Sequence, residues 1–475
     1  MSQKFSVLVT WAGTEGWIAM LERKMTARLL EWKASSAAKV FILLGARQTG
    51  KTYAVRHFAQ ANYSNYFEIN FLDDPENGRF LAGAHSSEEL VSRLSLIAGH
   101  ELSPDTLVLF DEVQELGHDV VTLSKFLVED GRFRLVLSGS LLGTRLKGVR
   151  SFPVGYARIE RMYPLDFEEF CWAMGVPQTI LDSVGHSFVE KTPVEETLHE
   201  KLIQLFRRYV VVGGMPEAVQ SFLDSGRELG SARAVDAEIA EQYRFDIVKY
   251  AQERKTTILG AYNALPSQLA KENKRFMLSA VAQNGRYERL KDDFGWLTEA
   301  GVALPCTLVK EPKYPLQRTE VPERFKLYAS DSGVLLAQYP LGAAKGIVEG
   351  RGDMNFGAVY ENIVAQQLVT AGFPLRYFQN NRKGEVDFVI EDSEGRVVPI
   401  EVKSGKDYKL HVALNNLLAT PDYGVPWAFV LSEANVSAGE RAGKPVYYLP
   451  LYMTMSFTSL RDDGWGKVPM EEITF

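Results

Sequence analysis

Gly45, Gly50, Lys51 and Thr52 stand in the order Gly-x-x-x-x-Gly-Lys-Thr. Glycines at those two places let the backbone curl until successive N–H groups converge on phosphate oxygens. Ala46, Arg47, Gln48 and Thr49 would supply the donors between them, with Arg47 either facing phosphate or solvated. A lysine at the end of such a loop reaches the β- and γ-phosphates, and the next hydroxyl is placed to ligate Mg²⁺. The expected ligand is therefore ATP with Mg²⁺. The matching acids are Asp111 and Glu112, which end the apolar run Leu107–Phe110. Asp111 would hold Mg²⁺ beside Thr52, and Glu112 would orient and deprotonate the attacking water. Ser138 and Ser140 are candidates to sense the γ-phosphate or that water.

A second group of chemistry-bearing residues lies far downstream: Glu361, Asp387, Glu401 and Lys403. Glu385–Ile390 alternates, which puts Glu385 and Asp387 on one face of a strand. In Val397–Lys403, Glu401 and Lys403 share a face while Ile400 and Val402 enter the core. Two acids on neighbouring strands and a third on a packed helix make a cage for Mg²⁺. A lysine two residues beyond one acid positions water or stabilises charge on phosphorus.

The elements that must hold these residues follow from patterning. Val40–Leu44 reads as a buried strand before the phosphate loop, with a helix after it. Asn65–Phe71, Leu107–Phe110 and Arg134–Leu137 are the next strands, and an unbroken apolar run such as Leu107–Phe110 belongs in a parallel sheet covered on both faces. Met20–Lys33 is an amphipathic helix. Helices are expected over Glu195–Tyr209, Asp236–Tyr250, Leu265–Ala270, Phe276–Ala282 and Tyr287–Ala300. A strand over Val302–Leu308 would complete a winged-helix-like unit. Lys271, Lys274, Arg275, Arg286, Arg289 and Lys291 are its candidate phosphate contacts, opposed by Glu288, Asp292, Asp293 and Glu299. Downstream come a helix over Phe356–Leu368, strands over Arg376–Gln379, Glu385–Ile390 and Val397–Lys403, a helix at Asn415–Leu417, and strands at Trp427–Leu431 and Pro445–Pro450.

Several segments resemble prokaryotic AAA-type ATPases of the archaeal-ATPase-like group. They are Gly45-Ala-Arg-Gln-Thr-Gly-Lys-Thr52, Leu109-Phe-Asp-Glu-Val-Gln-Glu115, Ser138-Gly-Ser140, Tyr163-Pro-Leu-Asp-Phe-Glu-Glu-Phe170 and Tyr209-Val-Val-Val-Gly-Gly-Met-Pro-Glu-Ala218. Phe325-Lys-Leu-Tyr-Ala-Ser-Asp-Ser-Gly333 resembles the segment that opens that group's second domain. The likeness spans roughly residues 20 to 460. It implies a C-terminal domain similar to the PD-(D/E)xK nuclease superfamily, with Glu361, Asp387, Glu401 and Lys403 as its site. The family's Gly-Arg pair is here Gly155-Tyr-Ala-Arg158, so Arg145, Arg150, Arg158 and Arg161 are left as candidates for an arginine finger, in cis or in trans.

A chain of 475 residues is too long for one core. The expected α/β architecture is an extension (1–19), a P-loop ATPase core with a parallel sheet (20–190), a helical, winged-helix-like connector (191–320) and a restriction-endonuclease-like α/β domain (321–475). A net charge of −7 gives no global pull toward nucleic acid, so contact with DNA would need a local patch. Two distant cysteines fit a reduced, cytoplasmic chain. No apolar run is long enough to span a membrane. The functions left open are an ATPase coupled to DNA binding or cleavage, and an ATP-driven adaptor or defence switch. A homo-oligomer is compatible with either.

Overall fold

The computed structural model describes residues 21–35, 40–116, 133–140, 157–271, 274–282, 285–351, 356–405 and 408–461. The N-terminal extension, Arg145 and Arg150 lie outside the described residues.

Five strands form the first sheet: β1 (Val40–Leu44), β2 (Asn65–Asn70), β3 (Thr106–Asp111), β4 (Arg134–Gly139) and β5 (Ala157–Arg161). Their order is β2-β3-β4-β1-β5 and every pairing is parallel. The apolar runs are continuous because both faces are covered. Phe41, Leu43, Leu107, Leu109 and Val136 pack against the helices Met25–Ala34 and Lys51–Asn62. Val40, Ile42, Val108, Phe110 and Leu137 pack against Pro75–Ala82 and Ser87–Ala98. Successive residues of a strand point to opposite faces, so each run feeds two cores.

A helical stretch follows: Phe167–Ala173, Gln178–Glu190, Glu196–Val212, Pro216–Asp224, Leu229–Tyr250 and Lys255–Leu269, then Tyr287–Glu299. The expected helix at Leu265–Ala270 is the end of Lys255–Leu269, and Pro266 is accommodated inside it. Phe276–Ala282 forms no α-helix. It holds only a 3₁₀ turn at Leu278–Ala280, while Phe276 is pinned among Phe294 and Phe325.

β6 (Ala303–Val309) and β7 (Glu320–Ala329) form an antiparallel hairpin after the Tyr287–Glu299 helix. Of the two strands, only the one over Val302–Leu308 was expected, as the completion of a winged-helix-like connector. Instead β6 also pairs in parallel with β8 (Arg376–Asn380), so the hairpin is built into a sheet of order β7-β6-β8-β9. The C-terminal half then runs through the helix Gly357–Thr370, β8, β9 (Gly384–Val386), β10 (Phe388–Glu391), β11 (Val397–Val402), the helix Val412–Leu418, β12 (Ala428–Ser432), β13 (Ser437–Arg441) and β14 (Lys444–Pro450). β10-β11-β12-β14-β13 is the third sheet. The single strand expected over 385–390 is broken at Asp387. Val386 faces one core with Val389, while Phe388 and Ile390 face the other, so the alternation slips as the chain crosses between sheets. The short strand Ser437–Arg441, polar and at an edge, carried too little pattern to be foreseen. Among the described residues, no helix is long and apolar enough to cross a membrane.

The helical stretch meets the segment after β7 at two buried carboxylates. Asp331 accepts the Gly214 N–H (2.7 Å) and caps the helix that begins at Ser332. Asp236, on the helix Leu229–Tyr250, is fully buried, and neither carboxylate oxygen has a hydrogen-bond partner among the described residues. Burial, and then the nearby Asp331 charge, push its carboxyl well above the usual range. A raised folded-state pKa favours the folded protein at low pH, and that contribution is lost as pH rises toward the raised value. Asp236→Asn should therefore flatten the fall in stability between about pH 5 and about pH 8, read as urea midpoints across that range. A slope identical to that of the parent chain would contradict the assignment.

Candidate functional site

β1 delivers the chain to Gly45 with φ +154°, and a Cβ there would lie 2.3 Å from the Met162 carbonyl oxygen. Only glycine fits so close to the strand-end backbone. The loop then turns into the helix Lys51–Asn62, whose N-terminal end faces the cradle. Lys51 is buried, with its Nζ donating to the carbonyls of Ala46 (2.7 Å) and Gly45 (3.1 Å). Burial lowers its pKa, and the charges of Glu112 and Asp111 oppose that shift. Thr49 closes the loop from inside, its hydroxyl donating to the Ala46 carbonyl at 3.0 Å.

The second motif arrives on β3. Thr52 Oγ1 donates to Asp111 Oδ2 at 2.6 Å, which joins the two sequence motifs in space. The Glu112 N–H donates to Asp111 Oδ1 at 3.0 Å. Glu112 itself takes φ +51°, a left-handed conformation costly for a residue with a Cβ. Its carboxylate accepts from Gln114 Nε2 and makes a long 3.5 Å contact with Ser140 Oγ. Of the two serines, Ser140 thus borders the acid. Ser138 is sealed in the sheet, its hydroxyl without a partner among the described residues.

Several neighbours of the loop had no sequence signal. Arg47 pairs with Asp246 at 2.6 Å, Gln48 Nε2 donates to Gln242 Oε1 at 2.7 Å, and the Tyr243 hydroxyl donates to the Arg47 carbonyl at 3.4 Å. All three partners lie on one side of the helix Leu229–Tyr250, a face whose polar residues read as ordinary solvated surface. Arg47 is therefore held by protein, which is neither the phosphate contact nor the solvated side chain expected from sequence. Gly301, after the Tyr287–Glu299 helix, comes so near that a Cβ would sit 2.9 Å from the Ala46 nitrogen. Arg23 is also buried. It donates to the carbonyls of Thr49 (2.8 Å) and Tyr163 (2.6 Å) and pairs with Glu169 at 3.2 Å. Among the finger candidates, Arg158 is already engaged by Glu31 (2.8 Å) and Glu160 (2.9 Å).

The C-terminal group also converges, in a different state. Glu361, on the helix Gly357–Thr370, is buried and accepts from Lys326 Nζ (2.8 Å), Lys274 Nζ and the Tyr328 hydroxyl. Burial works to raise its pKa, and the two ammoniums overcome that and hold it at about 2. Asp387 Oδ2 accepts the Val402 N–H at 2.9 Å, and Lys403 pairs with Glu401 at 2.8 Å. Burial, then the charges of Glu361 and Glu401, push the Asp387 carboxyl well up. The candidate phosphate contact Lys274 is thus spent on Glu361, and Lys291 on Glu288 (2.8 Å). Among the described residues, no three His, Cys, Asp or Glu side chains are arranged to hold a metal ion.

Residues 37–171 match a family model described as an AAA domain. Residues 203–345 and 356–452 match two domains of unknown function, DUF8612 and DUF4143. No curated protein matches. Solved structures with likeness include the Walker-type ATPase PABY2304 of Pyrococcus abyssi, with 15% identity over 68% of this chain and 96% of that one, at TM-score 0.40. The RuvB Holliday junction branch migration motor of Thermotoga maritima has 14% identity over 62% and 91%, at TM-score 0.29. Cdc6p of Pyrobaculum aerophilum has 12% over 72% and 97%, at TM-score 0.23.

The buried brace from Arg23 to the loop carries a prediction. Arg23→Gln should raise KM for ATP about tenfold with a smaller change in kcat, since one charge-assisted bond to the Thr49 carbonyl is lost. Glu169→Gln, which removes the ion pair and keeps both carbonyl bonds, should leave KM within about twofold. Steady-state ATP hydrolysis measures both, and equal KM values for Arg23→Gln and the parent chain would refute the role.

Proposed function

We propose that the AAA-type P-loop domain binds and hydrolyses ATP, and that its nucleotide state is passed to the C-terminal half along the helix Leu229–Tyr250. The observation that carries the first part is the 2.6 Å bond between Thr52 and Asp111, with Lys51 and Glu112 beside it. A hydroxyl and a carboxylate side by side are oxygen donors of the kind Mg²⁺ accepts, so these two residues fit the ion. When bound, it would neutralise phosphate charge. Lys51 is poised to exchange its two carbonyl partners for phosphate oxygens, which restores the charge balance that burial disturbs. Glu112 is the general base. Gln114 and Ser140 hold its carboxylate, and the left-handed backbone aims it away from the strand direction.

The second part is supported by the loop's own contacts. Arg47 and Gln48 grip Asp246 and Gln242, while Asp236 of the same helix lies against the junction with Asp331. A loop that closes on phosphate must adjust those grips. Cleavage of DNA by Glu361, Asp387, Glu401 and Lys403, the other activity expected, has element order in its favour: helix, strand, hairpin, strand, helix, strand. The lysine pairing of those acids favours the alternative, an ATP-driven adaptor or switch.

Glu112→Gln should bind ATP normally and lose activity by about 10²- to 10⁴-fold in kcat, the worth of a general base. Lys51→Ala should lose both binding and hydrolysis. Fluorescent-nucleotide titration and phosphate release separate the two variants, and undiminished nucleotide affinity in Lys51→Ala would sink the reading.

A further inference from the structure

Lys326 lies on β7, and its side chain is fully enclosed. Nζ reaches Glu361 at 2.8 Å, Glu385 at 2.6 Å and Asp387 at 3.9 Å. It also sits 4.9 Å from the centre of the Tyr377 ring. Two of those acids are residues that would ligate Mg²⁺ in a nuclease site. The other oxygen of Glu361 is taken by Lys274. A ring face suits an ammonium, which gains from the aromatic quadrupole. It offers nothing to Mg²⁺, which takes near-octahedral oxygen ligands and keeps several waters. The residues present therefore do not fit a divalent ion centred on Glu361.

We infer that Lys326 is the resident cation of the C-terminal acidic cluster, and that this cluster ties the middle of the chain to the C-terminal sheet without metal. Lys274 and Lys326 come from the segments on either side of the Tyr287–Glu299 helix, while Glu361, Glu385 and Asp387 come from the C-terminal half. The ion pairs are thus an intramolecular clasp, made on acids that were expected to ligate metal. One acid remains incompletely satisfied: Glu401 gives Oε1 to Lys403, and its Oε2 is buried without a partner among the described residues. Any divalent ion would have to enter there, which fixes the choice of variants.

The test uses the full-length chain without nucleotide, so that failure of the ATPase reading does not bear on it. Mn²⁺ is titrated while the thermal midpoint is followed. Any Mn²⁺-dependent rise in the parent midpoint should vanish in Thr52→Ala, and the midpoint of Lys326→Met, neutral and of similar length, should fall by several degrees. If Lys326→Met does not fold, the parent titration still decides. A Mn²⁺-dependent rise in the parent that Glu401→Gln or Asp387→Asn abolishes, and that Thr52→Ala leaves in place, overturns the inference. So does Mn²⁺-dependent nicking of plasmid DNA that Asp387→Asn abolishes.

Discussion

One hydrogen bond, from Thr52 to Asp111, spans the whole logic of the N-terminal half. Asp111 ends β3, and Thr52 lies in the first turn of the helix that the phosphate loop joins to β1; β1 and β3 are not neighbours, since β4 runs between them. The bond exists only because all three strands are parallel and in register, so that their C-terminal ends finish at one edge. That register depends in turn on runs apolar enough to be covered on both sides. A polar residue within Leu107–Phe110 would leave a buried group unmatched on one face and loosen the edge where the chemistry sits. Open sheets of this kind gather ligand chemistry at that edge for the same geometric reason.

The phosphate loop is held from several directions, and the restraints differ in kind. Arg23 and Thr49 act on loop carbonyls, Gly301 packs against loop backbone, and Asp246 and Gln242 act on side chains that point out of the loop. Backbone braces fix the shape of the cradle. The side-chain grips are of the exchangeable kind that the proposed ATP binding calls for, since Arg47 and Gln48 would gain a second partner in an anion. The helix Leu229–Tyr250 carries those grips at one end and the unpartnered Asp236 near the other. A buried carboxylate without a partner among the described residues is tolerated at a cost, and it lies at the contact with the segment Asp331–Gly333, which Arg233 of the same helix bridges further along through the carbonyls of Leu336 and Ala337.

What the sequence made legible was what has a local signature. The Gly-x-x-x-x-Gly-Lys-Thr loop, the Asp111-Glu112 pair and the apolar strands were read where the structure has them, because motif and periodicity are properties of contiguous residues. The helix carrying Glu361 and the strand carrying Glu401 were legible for the same reason. Arg23, Gln242, Asp246 and Gly301 were not, since each acts across a large separation in sequence and looks like surface in its own neighbourhood. The slip of alternation at Asp387 was hidden because a strand that changes sheets keeps its apolar content and alters only the phase. The winged-helix expectation had the helix Tyr287–Glu299 and the strand β6 in order, but its middle helix is a 3₁₀ turn, and β7 and the second edge that β6 offers to β8 were not foreseen.

Lys326 illustrates the harder limit. Acids at the right spacing were read as a cage for a divalent ion, and the spacing was sound, because they do converge. Convergence of carboxylates raises a demand for positive charge without naming its source. In the N-terminal site the demand around Asp111 and Glu112 is met partly by Lys51, whose other contacts are the carbonyls of Gly45 and Ala46, which is what the proposed binding of a metal and a polyphosphate together requires. In the C-terminal group two lysines answer much of it, one of them enclosed over an aromatic ring, so the cation beside Glu361 is supplied from inside the protein. The same residue types thus give an exchangeable site in one place and a closed one in the other. The difference lies in whether the neutralising cation can leave.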